Sequence, residues 1–215
     1  MKTIKRVTTT LLAVAVLGAP LAAMAGSQGK GAGRQAVDAV SSLDAAEIAD
    51  LEYMREEEKL ARDVYRTLYG LWGLPVFDNI SESEQVHTTQ VEDMIDKYGL
   101  IDPVADDTTG VFVNQVLADL YQDLITKGGV SSLKALYVGA AIEEIDMIDL
   151  QHAIDATDND DIRRLYENLM SGSKNHLRAY VGQIENLGIV YEAQYLTQEE
   201  VDSIVDSPVE RGRRR

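Results

Sequence analysis

Cysteine is absent from the 215 residues. That rules out disulfide staples, thiolate zinc, iron–sulfur clusters and a cysteine nucleophile. Basic residues are scarce, 20 against 36 acidic ones, for a formal charge of −16. Nucleic-acid partners need a basic footprint, so such a surface is not expected. β-branched alternating runs are missing, and the long segments repeat at 3.5–3.6 residues, which predicts an all-α chain. Beyond the N-terminal region no segment holds 18 consecutive apolar residues, so no stable membrane insertion is expected there. With no disulfide available, stability must come from helix packing.

The N-terminus has its own pattern. Lys2, Lys5 and Arg6 precede an apolar run over residues 10–23, and Ala23-Met24-Ala25 gives a small-x-small cleavage pattern. Residues 1–25 therefore read as a signal peptide cleaved near Ala25, with a periplasmic or secreted product; a retained anchor is the alternative. The leader holds three positive charges and no acid, so its loss takes −16 to −19. Gly-rich residues 26–41 form an expected flexible lead-in. A helical domain is expected over 42–204, and a basic tail over 205–215. A homodimer is compatible with this plan.

Helix one is predicted from near Ser42 to about Gly70, with the stripe Leu51, Met54, position 58, Ala61, Tyr65, Leu68, Trp72; Gly73 and Pro75 end it. Helix two begins near Asp78 or Ser81 and ends at Gly99, with Ile80, positions 84 and 87, Val91, Met94 and Tyr98 on its stripe. Residues 100–113 are a long connection, followed by a short amphipathic helix stopped at Gly128-Gly129. Helix three covers about 131–156, helix four runs from the Asp158-Asn159-Asp160 turn to near Gly188, and a small helix occupies about 197–204. Short, long and short connections between four long helices imply a four-helix bundle with one crossover.

The skipped stripe positions hold Glu58, Glu84, His87, Glu143, Ser173 and His176. An unpaired carboxylate on an apolar seam costs several kcal/mol, roughly, or protonates. A cation removes that cost. Glu84-x-x-His87 puts an oxygen and a nitrogen on one helix face, a donor mix suited to iron, manganese or zinc. Glu143 is adjacent to Glu144, so the ligand choice stays open; the seam favours Glu143, with Asp146 one turn on. Blander readings stand beside these. Ser81-x-x-Glu84 fits a capping box, Glu56-Glu57-Glu58 fits a solvated acidic face, and His176 alone fits a hydrogen-bonded core histidine. His152, nine residues from Glu143, reads as peripheral, a donor to a nearby carboxylate. Tyr65 and Tyr180 read as core residues with satisfied hydroxyls.

Glu58-Lys-Leu-Ala61-Arg-Asp-Val-Tyr65, Glu84-Gln-Val-His87 and Glu143-x-x-Asp146 resemble the ferritin-like superfamily of di-iron carboxylate bundles, which includes rubrerythrins and bacterioferritins. More closely, YMREEEKLARDVY, GLPVFDNISESEQVH, GAAIEEIDMIDL, SGSKNHLRAY and YLTQEE resemble the "domain of unknown function 2202" proteins, over roughly residues 45–204. The superfamily resemblance implies a four-helix bundle with an internal metal site. One departure stands out: helix four has Ser173-Lys-Asn-His176 where that superfamily usually has Glu-x-x-His.

The expected function is an exported metal-binding bundle with iron, or alternatively manganese or zinc, that reacts with dioxygen or peroxide. Its expected ligands are Glu58, Glu84, His87, Glu143, His176 and, as a sixth candidate, Asp146. The alternative is a metal-free structural or binding bundle whose seam residues form a hydrogen-bond network. A weaker third reading is metal buffering on the acidic surface. No Ser-His-Asp arrangement supports acyl transfer.

Overall fold

In the computed structural model, residues 43–210 are described. The expected leader, the lead-in and residues 211–215 of the expected tail lie outside the described residues. Among the described residues the chain is all-helical: α1 Ala45–Trp72, α2 Pro75–Lys97, α3 Gln115–Gly128, α4 Ser132–Ala156, α5 Asp160–Glu185 and α6 Gln198–Asp206. None of these helices is long and apolar enough to cross a membrane.

The helix ends follow local chemistry, and several differ from the sequence expectation. Asp44 caps α1, in a reciprocal capping box with Glu47; Ser42, near which the helix was expected to begin, lies outside the described residues. The helix runs a little past Gly70, to Trp72, and Gly73, expected with Pro75 to stop it, caps it at φ 63°. Helix α2 then starts at Pro75, whose fixed φ suits a first helical position, several residues before Asp78 or Ser81. The capping-box reading of Ser81 and Glu84 therefore fails. Ser81 lies inside the helix and its hydroxyl donates to the Asp78 carbonyl. At the other end α6 runs past 204 to Asp206, and Glu210 accepts from the Ser171 hydroxyl of α5. Residues 205–210 are therefore tied to the helical domain.

The two-residue link after α1 makes α1 and α2 an antiparallel hairpin, and α4 and α5 form another. The hairpins meet through α1 against α4 and α2 against α5, and α3 packs on α1 and α4. Each long helix passes through three layers. One apolar cluster gathers Leu51, Met54, Val91, Ile95, Leu150, Ile162 and Leu169. Another gathers Leu68, Phe77, Leu136, Leu177 and Tyr180. The residues between them on all four helices are polar and buried: Glu58, Glu84, His87, Glu143, Asp146, Ser173 and His176.

Helix α1 is buried on every face from Met54 to Tyr65. The expected solvated face at Glu56-Glu57-Glu58 is absent; all three are buried. The connection 100–114 explains part of this, because it folds over α1. Glu56 accepts from the Val113 and Asn114 amides at 2.5 and 2.9 Å. Arg55 forks onto Asp102, and Arg62 reaches Asp107.

Candidate metal centre

The polar layer is built around Glu84. One of its oxygens lies 2.7 Å from His87 Nδ1, one turn along the same helix. The other lies 2.8 Å from His176 Nδ1, contributed by α5. Glu58 of α1 approaches His87 Nδ1 at 3.3 Å, and Glu143 of α4 approaches His176 Nδ1 at 3.4 Å. Five of the six sequence-derived candidates thus meet, one or more from each long helix. Glu84, His87 and His176 bring one ligand atom each within 4.8 Å of one another.

The distances are short, but the directions are not those of hydrogen bonds. Both histidine Nδ1 atoms, Glu84 Oε2 and Glu58 Oε1 are buried and have no hydrogen-bond partner. Buried polar atoms are almost always paired, so this concentration of exceptions needs a cause. The outer nitrogen of His176 gives one. Its Nε2 sits 2.9 Å from Ser83 Oγ. With Nε2 engaged by Ser83, His176 Nδ1 faces two carboxylates, an arrangement that a proton on the ring or a bound cation relieves.

The remaining candidates are arranged around this core. Asp146 accepts from the Ser173 hydroxyl of α5, while its Oδ1 has no partner. Tyr65 donates to Glu143 Oε1 at 2.5 Å. Tyr180 was expected to have a satisfied hydroxyl, yet its hydroxyl is buried without a partner. Its ring occupies the space that a side chain on Gly139 would fill, 2.5 Å from the ideal Cβ position.

Glu143 and Glu144 separate cleanly. Glu144 turns away from the layer and accepts from the Gln194, Tyr195 and Leu196 amides and from the Tyr191 hydroxyl. It anchors the segment before α6, and Glu143 alone of the two joins the cluster. His152 is exposed, at the α4 end remote from His176.

The electrostatics are divided. Burial pushes Glu58 up to about 7, against the opposing pull of His87. Burial acts the same way on Glu84, but the two imidazoles outweigh it and hold this carboxyl well below the usual range. Burial disfavours the His176 cation, yet Glu84 and Glu143 raise this imidazole to about 10. Burial, then the charges of Glu58 and Glu143, push Asp146 well up.

Three features of the site were not read from the sequence. Gly172 leaves room for His87, whose Cε1 would lie 2.4 Å from an added Cβ. Ser83 fixes His176, although nothing in its spacing marks it. A cleft of about 1150 Å³ between α2 and α5 reaches His87 past Gln90, Asn168 and Gly172.

An all-helical bundle with a buried glutamate–histidine group at mid-height is the class these features define. The chain belongs to the family described as an uncharacterized protein domain, DUF2202, whose model matches residues 47–208. It is similar to the uncharacterized protein MJ0754 of Methanocaldococcus jannaschii, 49% identical over 181 residues that span 82% of this chain and 98% of that one. It is also similar to the crystal structure of hypothetical protein MJ0754 from Methanococcus jannaschii, with a TM-score of 0.77 at 49% identity, covering 78% of this chain and 96% of that chain.

Proposed function

We propose that this protein is a ferritin-like four-helix bundle that binds iron or manganese and reacts with dioxygen or peroxide. The four long helices are α1, α2, α4 and α5, and the crossover carries α3. Glu84, His87 and His176 would hold the ion, with Glu58 and Glu143 beside it and Asp146 as the candidate for a second, weaker position. One observation carries this reading: two imidazole nitrogens lie 2.7 and 2.8 Å from the oxygens of a single buried carboxylate, without hydrogen-bond alignment. Mixed oxygen and nitrogen donors suit iron and manganese, and zinc accepts the same set. Bound iron or manganese would supply the redox chemistry toward the oxidant.

The chain's own residues do the rest. Ser83 holds the His176 ring, and Tyr65 holds Glu143. The apolar layers above and below close the two ends of the site, and the cleft between α2 and α5 leaves access at His87. The leader pattern supports export; N-terminal sequencing of periplasmic material should start near residue 26, and an intact Met1 there would refute it.

The deciding experiment compares metal content in untagged wild type and Glu58→Ala/His87→Ala. Wild type should carry iron or manganese and the variant little. Equal, negligible metal in both removes the proposal and favours a metal-free hydrogen-bond network. The two readings also part on melting. Metal bound only to the folded state raises Tm, so a chelator lowers it in one case and leaves it unchanged in the other.

A further inference from the structure

The two imidazoles of the centre are finished differently on their outer sides. Both turn Nδ1 toward carboxylates. His176 has its outer nitrogen tied to Ser83. His87 lays its outer edge against Gly172, where an added Cβ would lie 2.4 Å from Cε1 and 2.5 Å from Nε2. Among the described residues no hydrogen bond reaches that Nε2. The residue is 7% exposed, and it lines the cleft of about 1150 Å³ between α2 and α5. Whether an ion or a proton sits at Nδ1, the Nε2 atom carries a hydrogen. A donor this deeply buried calls for an acceptor, and the protein supplies none.

The cleft is shaped to bring one. From His87 and Gly172 it follows the two helices past Gln90 and Asn168 to Lys97 and Asp161, roughly 15 Å at the rise of a helix. Its charges lie away from His87. Lys97 and Arg164 both pair with Asp161, so neither cation is left for an incoming anion. Asp93 and Glu167 are exposed at the rim. Beside Gly172 the lining is uncharged. Ser171 and Asn175 are taken up by Glu210. The amides of Gln90 and Asn168 make no hydrogen bond with another described side chain, and each offers both a donor and an acceptor. The volume is that of a site for a metabolite-sized ligand, so room is not limiting.

We infer that the α2/α5 cleft binds a small uncharged molecule whose hydrogen-bond acceptor takes the His87 Nε2 hydrogen. Gln90 and Asn168 hold its other polar groups, and Gly172 sets how closely it approaches. This goes beyond the metal-binding reading and does not require it, because the donor is present with an ion or with a proton at Nδ1. Where an ion is bound, the molecule sits one imidazole away from it, on the side of the centre that the protein leaves open. Gly172 determines the site twice over. A side chain there would fill the inner end of the cleft, and it would push the His87 ring off its seat.

The probe is acetamide, an uncharged molecule with one strong acceptor, titrated into chain labelled with ¹⁵N at histidine. The sequence has three histidines, so three ring systems report separately. Spectra are taken of the zinc-loaded and of the metal-free chain. His87 Nε2 should shift and saturate, with Kd on the order of millimolar for so small a ligand, while His152 and His176 stay in place. Acetate has the same shape and a negative charge, and it should bind roughly tenfold more weakly or not at all, since no free cation receives it. Asn168→Leu, an exposed position that the fold tolerates, should weaken acetamide about fivefold, the scale of one neutral hydrogen bond. Gly172→Ala should abolish the His87 response. A drift shared by all three rings without saturation, or wild-type affinity in Asn168→Leu, overturns the site and leaves the cleft to water. Acetate binding as tightly as acetamide overturns the assigned class. A chain that holds no metal refutes the metal centre alone, because the metal-free titration still decides the cleft.

Discussion

Helix α1 buries charge on two faces, and the faces are finished differently. Under the crossover, Lys59 Nζ lies 2.6 Å from Asp63, Arg62 donates to the same carboxylate at 2.9 Å, and Asp107 closes the other side of Arg62. Lys59 also donates to the Thr108 carbonyl and sits over the Phe112 ring. Asp63 in turn accepts from the Gly110 amide. Opposite charges are matched and their hydrogen bonds are made. Around Glu84 the acids outnumber the bases, and partnerless atoms gather. Both regions are buried, so burial of charge alone does not mark a functional site. What marks it is charge that the protein leaves uncompensated.

That contrast can be broken at either end. Asp63→Ala removes the shared partner of Lys59 and Arg62 and leaves two buried cations. It should cost about 3–5 kcal/mol of unfolding free energy, equally with and without metal. Chemical denaturation of both forms measures it; a loss below about 1 kcal/mol would mean the pairs are dispensable. At the other end, Glu58→Gln removes a carboxylate that nothing fully compensates. In metal-free protein it should leave stability unchanged or raise it. With metal at about 100 times Kd, wild type should gain about 2.7 kcal/mol and Glu58→Gln clearly less. Equal gains in the two proteins would take Glu58 out of the site.

Much of this was legible in the sequence, because periodicity and violations of periodicity are both local. Glu58, Glu84, Glu143 and His176 stood out as polar residues at apolar phases, and phase alone told Glu58 from Glu57. The crossover network was not legible. Glu56, Lys59, Arg62 and Asp63 look like an ordinary charged helix face, and only the path of residues 100–114 buries them. Gly172 was equally silent, since its role is an absence of atoms beside a ring on another helix. Ser81 misled for a related reason. A serine three residues before a glutamate satisfies the capping pattern, but Pro75 had already started the helix.

Neighbouring glutamates give a finer version of the same comparison. Glu144 is fully partnered by the 191–196 segment, and Glu143 faces the imidazole of His176. Glu144→Gln should cost about 1–3 kcal/mol, loosen α6 and leave metal stoichiometry unchanged. Glu143→Gln should weaken metal retention with little effect on α6. Hydrogen exchange over residues 191–206, alongside metal analysis, separates them. If both variants lose metal alike, the division of labour between them is wrong.

The response to pH is spread over several groups, and here the two regions should differ in sign. Glu58 is raised from 4.5 to about 7, and Glu143, Asp146 and Glu57 are also raised. A raised group binds its proton more tightly when folded, so its contribution is full below the ordinary value and is lost as pH rises through the raised one. His176, raised from 6.5 to about 10, continues that loss at higher pH. Glu84 is lowered and acts oppositely, but its contribution is already complete above 4.5. Metal-free protein should therefore lose Tm steadily from pH 4.5 to 7, while the increment added by metal grows over the same interval, because the ion replaces those protons. Asp107 is the counterpart under the crossover. Burial would raise it, but Arg62 outweighs that and holds it low, so its contribution is present above 3.8 and is lost only on acidification. Asp107→Asn should leave the slope between pH 4.5 and 7 intact, and Glu58→Gln should flatten it. A slope that survives Glu58→Gln but disappears in Asp107→Asn would place the uncompensated charge under the crossover and not at the centre of the bundle.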